Sequence, residues 1–147
     1  MMYRTREGRV EVFLVHPGGP FWAKKDLGAW SIPKGEFGEG EAGLEAAIRE
    51  FEEETGFAAG GNFVELGEVK QAGGKIVSAW AFEGDCDPGA MKSNLCEVEW
   101  PPRSGRRMVF PEVDRGGWFR IEEARERILK SQAPLLDALC RVLEVAG

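Results

Sequence analysis

From Ala42 to Glu54 the chain carries no proline, and its one internal glycine, Gly43, falls in the first turn. Leu44, Ala47, Ile48 and Phe51 recur at i, i+3, i+4 and i+7, the spacing of an amphipathic helix. These positions form one stripe, which is expected to face a core. Glu50, Glu53 and Glu54 fall on an adjacent arc of roughly 100°. Glu45, Arg49 and Glu52 fall further round, toward solvent. Ala46 lies one turn before Glu50 on the acidic side, and its small side chain leaves room there. Gly56 suits a left-handed C-terminal cap, so the helix is expected to stop where the acidic cluster ends.

The rest of the chain alternates differently. Arg9 to His16 (RVEVFLVH) reads as a strand that Pro17-Gly18-Gly19-Pro20 ends. Residues 21–34 read as a loop. Phe63 to Lys70 and Lys75 to Phe82 read as paired strands joined by a turn at 71–74. Cys96 to Trp100 is a further strand candidate, residues 101–107 a basic loop, and Trp118-Phe119 a short late strand. Ile121 to Leu129 and Ala133 to Val145 read as amphipathic helices, the second capped by Ser131. Strands, a helix, more strands and terminal helices suit a mixed-sheet sandwich of the α/β class.

The acidic arc of the first helix is an electrostatic problem. Glu50, Glu53 and Glu54 are neighbours at i, i+3 and i+4, where like charges repel by a few tenths of a kcal/mol per pair, roughly. They also lie near the helix C-terminus, the wrong end of the dipole for negative charge. A solvated acidic face would spread its charge or interleave lysine. Hard, oxygen-seeking Mg²⁺ or Mn²⁺ resolves the conflict, held by carboxylates with water and a substrate phosphate completing its shell.

Residues around the helix sharpen this. Gly35, Glu41, Arg49, Glu50, Phe51, Glu53, Glu54, Gly56 and Phe57 fit the pattern G-x5-E-x7-R-E-U-x-E-E-x-G-U, where U is bulky and apolar. The stretch 35–57 resembles the box of the Nudix hydrolases. Phenylalanine at both U positions is the one departure, and it bears on packing. The resemblance implies one domain over residues 1–147, with a loop–helix–loop metal site on an α/β/α sandwich with a mixed β-sheet. It implies cleavage of a nucleoside diphosphate linked to another group. It makes Glu50, Glu53 and Glu54 metal ligands, gives Gly35 a backbone carbonyl contact to metal, and pairs Arg49 with Glu41 as a brace. Because all box glutamates are present, a catalytically silent nucleotide-binding module is the weaker reading.

Composition agrees with a single domain. At 147 residues, with 43% hydrophobic and 30% charged positions and no internal break, one core is expected. A net charge of −6 argues against broad nucleic-acid or acidic-membrane binding, though not against a small polyphosphate met by a metal. No apolar run approaches membrane-spanning length, and no signal peptide or lipidation motif is read. Cys86, Cys96 and Cys140 show neither metal spacing nor a disulfide framework, so free thiols in a reducing cytoplasm are expected. A monomer or homodimer fits equally.

Outside the box several residues are candidates. A general base must take a proton from water, and Glu53 or Glu54 serves if not fully committed to metal. Some Nudix enzymes add a glutamate shortly before the last strand; Glu112 matches, ahead of Glu97 and Glu99. Lys34, beside Gly35, is placed to meet a phosphate. Lys24, Lys25, Arg103, Arg106 and Arg107 could clamp further phosphates, and Trp22 or Trp80 could stack on a base, with core packing the expectation for Trp80. His16, the sole histidine, reads as a strand-end residue and not a ligand. Pro33-Lys34-Gly35 is similar to the dinucleoside-polyphosphate, diphosphoinositol and RNA-5′-end branches. The leading substrate is therefore a dinucleoside polyphosphate such as diadenosine tetraphosphate, followed by nucleoside triphosphates, oxidised ones included. Many dinucleoside-polyphosphate hydrolases carry a tyrosine after the box, whereas Tyr3 is this chain's only one.

Overall fold

Val12, Phe13, Leu14 and Val15 are all buried, although their side chains alternate between two faces. Only a strand covered on both sides permits that. It is the second strand of a computed structural model that describes residues 1–33, 43–70, 74 and 76–143. The expectations for Lys34, Gly35, Glu41, the turn at 71–73 and the tail beyond residue 143 lie outside the described residues.

The strands run β1 (Met2–Arg6), β2 (Arg9–Pro17), β3 (Val64–Lys70), β4 (Ile76–Glu83), β5 (Leu95–Glu99), β6 (Arg107–Pro111) and β7 (Val113–Arg120). The helices are α1 (Gly43–Thr55), α2 (Ile121–Arg127) and α3 (Ala133–Leu143). A five-stranded sheet has the order β3-β4-β1-β2-β7, and β5 and β6 form a separate two-stranded hairpin. β1 runs parallel to β4, while β1–β2, β2–β7 and β3–β4 are antiparallel, so the sheet is mixed. One face packs Val12, Leu14 and Trp30 with Leu135, Leu136 and Leu139 of α3. The other packs Phe13, Val15, Met2 and Phe82 with Phe51 of α1. The layers are thus α/β/α.

Two strands escape the sequence pattern. β1 (MYRTR) is short and mostly polar, because Arg4 reaches Glu11 at 2.8 Å and Asp85 at 2.6 Å and lies over the Trp118 ring. Its turn into β2 is the two residues Glu7 and Gly8, both at positive φ (53° and 76°), which matches the twist of a tight hairpin. β6 is the other: only its first residue, Arg107, falls within the expected basic loop 101–107, and no strand was expected there. The late strand is also longer than Trp118-Phe119: β7 pairs with β2 from Arg120 opposite Glu11 to Val113 opposite Pro17. Gly116 and Gly117 are weak strand formers. In the sheet, a Cβ on Gly116 would sit 2.4 Å from the Phe13 ring, so the glycine makes room for that side chain.

α1 also departs from expectation. Leu44, Ala47 and Ile48 are only half-buried, and the covered positions are Ala46, Glu50, Phe51, Glu54 and Thr55. The helix is rotated so that Ala46, Glu50 and Glu54, spaced i, i+4, i+8, turn inward. Phe51 alone of the predicted stripe is fully in the core, edge-on to Phe82 at 5.2 Å. Ser131 is not a cap of α3. It lies inside a 3-10 turn (Lys130–Gln132) that runs straight into the helix.

Candidate active site

The C-terminal end of α1 anchors the site. Gly56 adopts φ 76° and its N–H donates to the Glu52 carbonyl at 2.8 Å, closing the last turn. The last carbonyls are then met from outside the helix. The Lys92 N–H donates to Thr55 (2.8 Å) and the Asn94 N–H to Glu53 (3.0 Å). Those donors satisfy the negative end of the helix dipole beside the glutamates. Gly56 leaves no space for a side chain here, since a Cβ would lie 2.9 Å from the Lys92 carbonyl oxygen.

Asn94 carries the chain onward to Glu112. Its carbonyl accepts the Glu112 N–H at 2.9 Å, and the Glu112 carbonyl accepts the Gly18 N–H at 2.9 Å. Ser93 Oγ accepts the Val113 N–H at 3.1 Å. Glu112 is therefore fixed by its own backbone between the end of α1 and the end of β2. Gly18 approaches so closely that a Cβ there would fall 2.0 Å from the Pro111 carbonyl oxygen.

The carboxylates differ in environment. Glu50 and Glu54 are buried, at 9% and 5% exposure, while Glu53 is exposed. Arg49 donates to Glu50 Oε1 at 2.9 Å and to Glu53 Oε2 at 3.1 Å, and so bridges the two. Burial pushes the Glu50 carboxyl above its ordinary value, Arg49 opposes this, and the charges of Glu53 and Glu112 raise it further. Glu112 thus lies within electrostatic reach of the helix carboxylates. Among the described residues, no group of three acidic, histidine or cysteine side chains is gathered closely enough to enclose a metal ion. Chemically the set still suits a hard divalent cation: it consists of oxygen donors, with Glu50 and Glu54 one turn apart on a covered stripe.

The other candidates scatter. Trp22 is half-buried and edge-on to Phe21 at 5.1 Å, with the Lys25 ammonium over both rings at 5.2 and 3.8 Å. Lys24 is exposed on the same loop. Trp80 packs under the first turn of α1, where a Cβ on Gly43 would meet its ring at 2.8 Å. Arg103 and Arg106 lie at the tip of the β5–β6 hairpin, whereas the Leu95–Pro111 pair at its other end adjoins Glu112. Arg106 is not brought beside the helix carboxylates. Arg107 and Glu97 pair with each other at 2.7 Å, and Glu99 accepts the Arg103 N–H at 2.7 Å, so both weaker acidic candidates hold the hairpin together.

Two features of this end of the molecule had no sequence signal. Asn94 links α1 to Glu112, and His16 is fully buried. His16 Nδ1 lies 2.9 Å from Asp114 Oδ1, and its Nε2 lies 2.5 Å from the Lys25 carbonyl oxygen. That pair of contacts ties the Trp22–Lys25 loop to β7.

An acidic, partly covered helix face on a three-layer mixed sheet is chemically suited to a hydrolytic metal site. A family model described as NUDIX domain matches residues 1–139, and the chain belongs to the Nudix family. That family hydrolyses pyrophosphate bonds and generally depends on a divalent metal. A stretch of 35 residues is 57% identical to the RNA pyrophosphohydrolase of Erythrobacter litoralis (strain HTCC2594); it covers 24% of this chain and only 21% of that protein. The NUDIX domain of Shewanella oneidensis NrtR, solved with ADP ribose, matches with a TM-score of 0.67 at 15% identity, over 97% of this chain and 83% of that one. A binary complex of C. elegans Ap4A hydrolase matches with a TM-score of 0.65 at 20% identity, over 97% and 94%. At these identities the two structures speak to the fold. Among the described residues no helix is long and apolar enough to cross a membrane.

Proposed function

We propose that this chain is a Mg²⁺-dependent pyrophosphohydrolase of a nucleoside-diphosphate-linked substrate, with Mn²⁺ able to replace Mg²⁺. The leading substrate is a dinucleoside polyphosphate such as diadenosine tetraphosphate. The observation that carries this reading is the inward stripe Ala46–Glu50–Glu54. A helix that buries two carboxylates one turn apart, with more negative charge from Glu53 and Glu112 nearby, has left an electrostatic deficit that a cation offsets.

Glu50, Glu53 and Glu54 are the residues to hold the ion, with the Gly35 carbonyl as a further ligand. When bound, the ion polarises a phosphate oxygen and lowers the pKa of a coordinated water. Arg49 orients Glu50 and Glu53 by its two hydrogen bonds. Glu53, Glu54 and Glu112 are the candidates to accept the proton from the attacking water. Backbone anchoring on both sides favours Glu112, because a base held in place loses less geometry on binding substrate. Lys34, Lys24 and Trp22 are the candidates to bind substrate, phosphate contacts falling to the lysines. Free cysteines favour a cytoplasmic setting.

Nucleoside triphosphates, oxidised ones included, are the alternative substrates. An RNA 5′-end is a second reading, favoured by the 35-residue match to an RNA pyrophosphohydrolase. One experiment separates them. Diadenosine tetraphosphate, the nucleoside triphosphates and a 5′-triphosphorylated RNA are incubated with protein and Mg²⁺, and the products are resolved by chromatography. Glu54→Gln is run alongside. Turnover that needs Mg²⁺ and disappears in the folded variant supports the assignment; undiminished turnover by Glu54→Gln would sink it.

A further inference from the structure

His16 is the sole histidine of the chain, and its ring is fully buried near the end of β2. The chemistry proposed above makes no use of it. Its two nitrogens nevertheless reach two separate segments: Nδ1 lies 2.9 Å from Asp114 Oδ1, and Nε2 lies 2.5 Å from the Lys25 carbonyl oxygen. Trp30 covers the ring edge-on at 5.3 Å.

The partners fix the hydrogens. A carbonyl oxygen only accepts, so the Lys25 contact is a hydrogen bond only when Nε2 carries the hydrogen. The hydrogen in the Asp114 contact is then a second one, on Nδ1 or on the carboxyl.

The segment from Gly18 to Lys25 leaves one stretch of chain and rejoins it. At its start the Gly18 N–H donates to the Glu112 carbonyl at 2.9 Å. At its end the His16 ring joins the Lys25 carbonyl to Asp114, the next residue but one after Glu112. Between these ties the Lys25 N–H donates to the Trp22 carbonyl at 3.0 Å, closing a turn that leaves Phe21 and Lys24 exposed. Asp26, the next residue, is held separately, by Arg127 at 2.7 Å and by Trp30 Nε1 at 2.7 Å. Loss of the Lys25 tie therefore loosens the turn and leaves the segment after it in place.

Resting on the hydrolase reading above, we infer that His16 is a positioning residue for the substrate. Its Nε2–H holds the Lys25 carbonyl and fixes the turn that carries Trp22 and Lys24 against the strand that begins beside Glu112. Groups that bind substrate and a group that accepts the water proton then keep one separation. A turn fixed in advance also spares the substrate the cost of ordering it.

Two isosteres of the ring separate its ties. Asparagine places its amide nitrogen where Nδ1 stands, and glutamine places its own where Nε2 stands. His16→Gln thus keeps the Lys25 tie and gives up Asp114, and His16→Asn does the reverse. Trypsin reads the Lys25 tie without any ligand, because it cuts after Lys24 and Lys25 and His16 holds the Lys25 carbonyl. Cleavage at those two bonds, followed by mass spectrometry on folded protein, should speed up about 10-fold in His16→Asn and stay within about 2-fold of wild type in His16→Gln. Asp114→Ala, at a half-exposed carboxylate, should match His16→Gln. A rise in cleavage like that expected of His16→Asn would assign the tie to Asp114 and overturn the inference. With Mg²⁺, the KM for diadenosine tetraphosphate, or for whichever of that compound, ATP and 5′-triphosphorylated RNA wild type hydrolyses, should rise about 10-fold in His16→Asn while kcat stays close to wild type. It should move little in His16→Gln. Equal effects of the two isosteres, in cleavage or in KM, would show a ring that only fills the core and overturn the inference. So would a contrast in cleavage with no change in KM. If wild type hydrolyses none of the three compounds while the contrast in cleavage is present, the tie stands and the hydrolase reading falls.

Discussion

Glu50→Gln should stabilise the metal-free protein while it destroys the metal site. The residue is 9% exposed, and burial is the largest influence on its carboxyl. Covering an ionised carboxylate costs several kcal/mol, roughly, before its partners respond. Among the described residues the cation shown beside it is Arg49, at 2.9 Å and 39% exposed, a pair whose solvent screening limits its return to about 1 kcal/mol or less. Glu53 and Glu112 subtract from that return. Glutamine keeps the shape and still accepts from Arg49, but carries no charge. A net gain of about 1 kcal/mol follows, or a rise in Tm of roughly 2–4 °C for a domain of this size.

The pH dependence gives the sign. A carboxyl raised above its ordinary value holds its proton more tightly in the folded state than in the unfolded one. Its stabilising share is complete below the ordinary glutamate value of about 4.3 and is lost as pH rises through the raised value. Wild type should therefore lose stability across that window, and Glu50→Gln should not share the loss. Thermal unfolding by circular dichroism in chelator, at pH 4 and pH 8, measures both. The variant should match wild type at pH 4 and exceed it at pH 8. Added Mg²⁺ should raise the wild-type Tm at pH 8 and move the variant less. A variant that is no more stable than wild type at pH 8 in chelator would show that the buried charge is already compensated within the chain.

Two further outcomes test the scaffold around the site. His16→Leu removes the ring nitrogens that reach the Lys25 carbonyl and Asp114 from a fully buried position, so stability should fall by about 2–3 kcal/mol in chemical denaturation; a neutral result would mean that water replaces the imidazole. Gly18→Ala forces a Cβ to within 2.0 Å of the Pro111 carbonyl oxygen and displaces the strap on Glu112. Its kcat should drop by roughly 10- to 100-fold, the cost of a shift near 1 Å in a catalytic group, and an unchanged kcat would remove Glu112 from the reaction.

Sequence reasoning succeeded where side-chain pattern decides the outcome and stopped where backbone does. The family, the layers, the central strand and α1 were legible because RVEVFLVH and the glutamate spacing are side-chain signals. The rotation of α1 was not. Counting apolar residues puts Leu44 and Ile48 inside, yet the helix covers Glu50 and Glu54. Burying charge at the expense of aliphatic contact inverts the usual ranking, so the apolar stripe misleads at this helix. Most of β7 was hidden for another reason: its glycines carry no strand signal, and only Phe13 placed against Gly116 shows why one stands there. Glu112 was found by its position before the last strand. What fixes it beside α1 is two backbone bonds, from its own N–H to Asn94 and from Gly18 to its carbonyl, and neither partner advertises that role by residue type. The same limit explains Arg106, which its charge placed among phosphate ligands and the hairpin register carries to the far end of a strand pair. Charge marks which residues are able to meet a polyphosphate; the hairpin register decides where in the fold they stand.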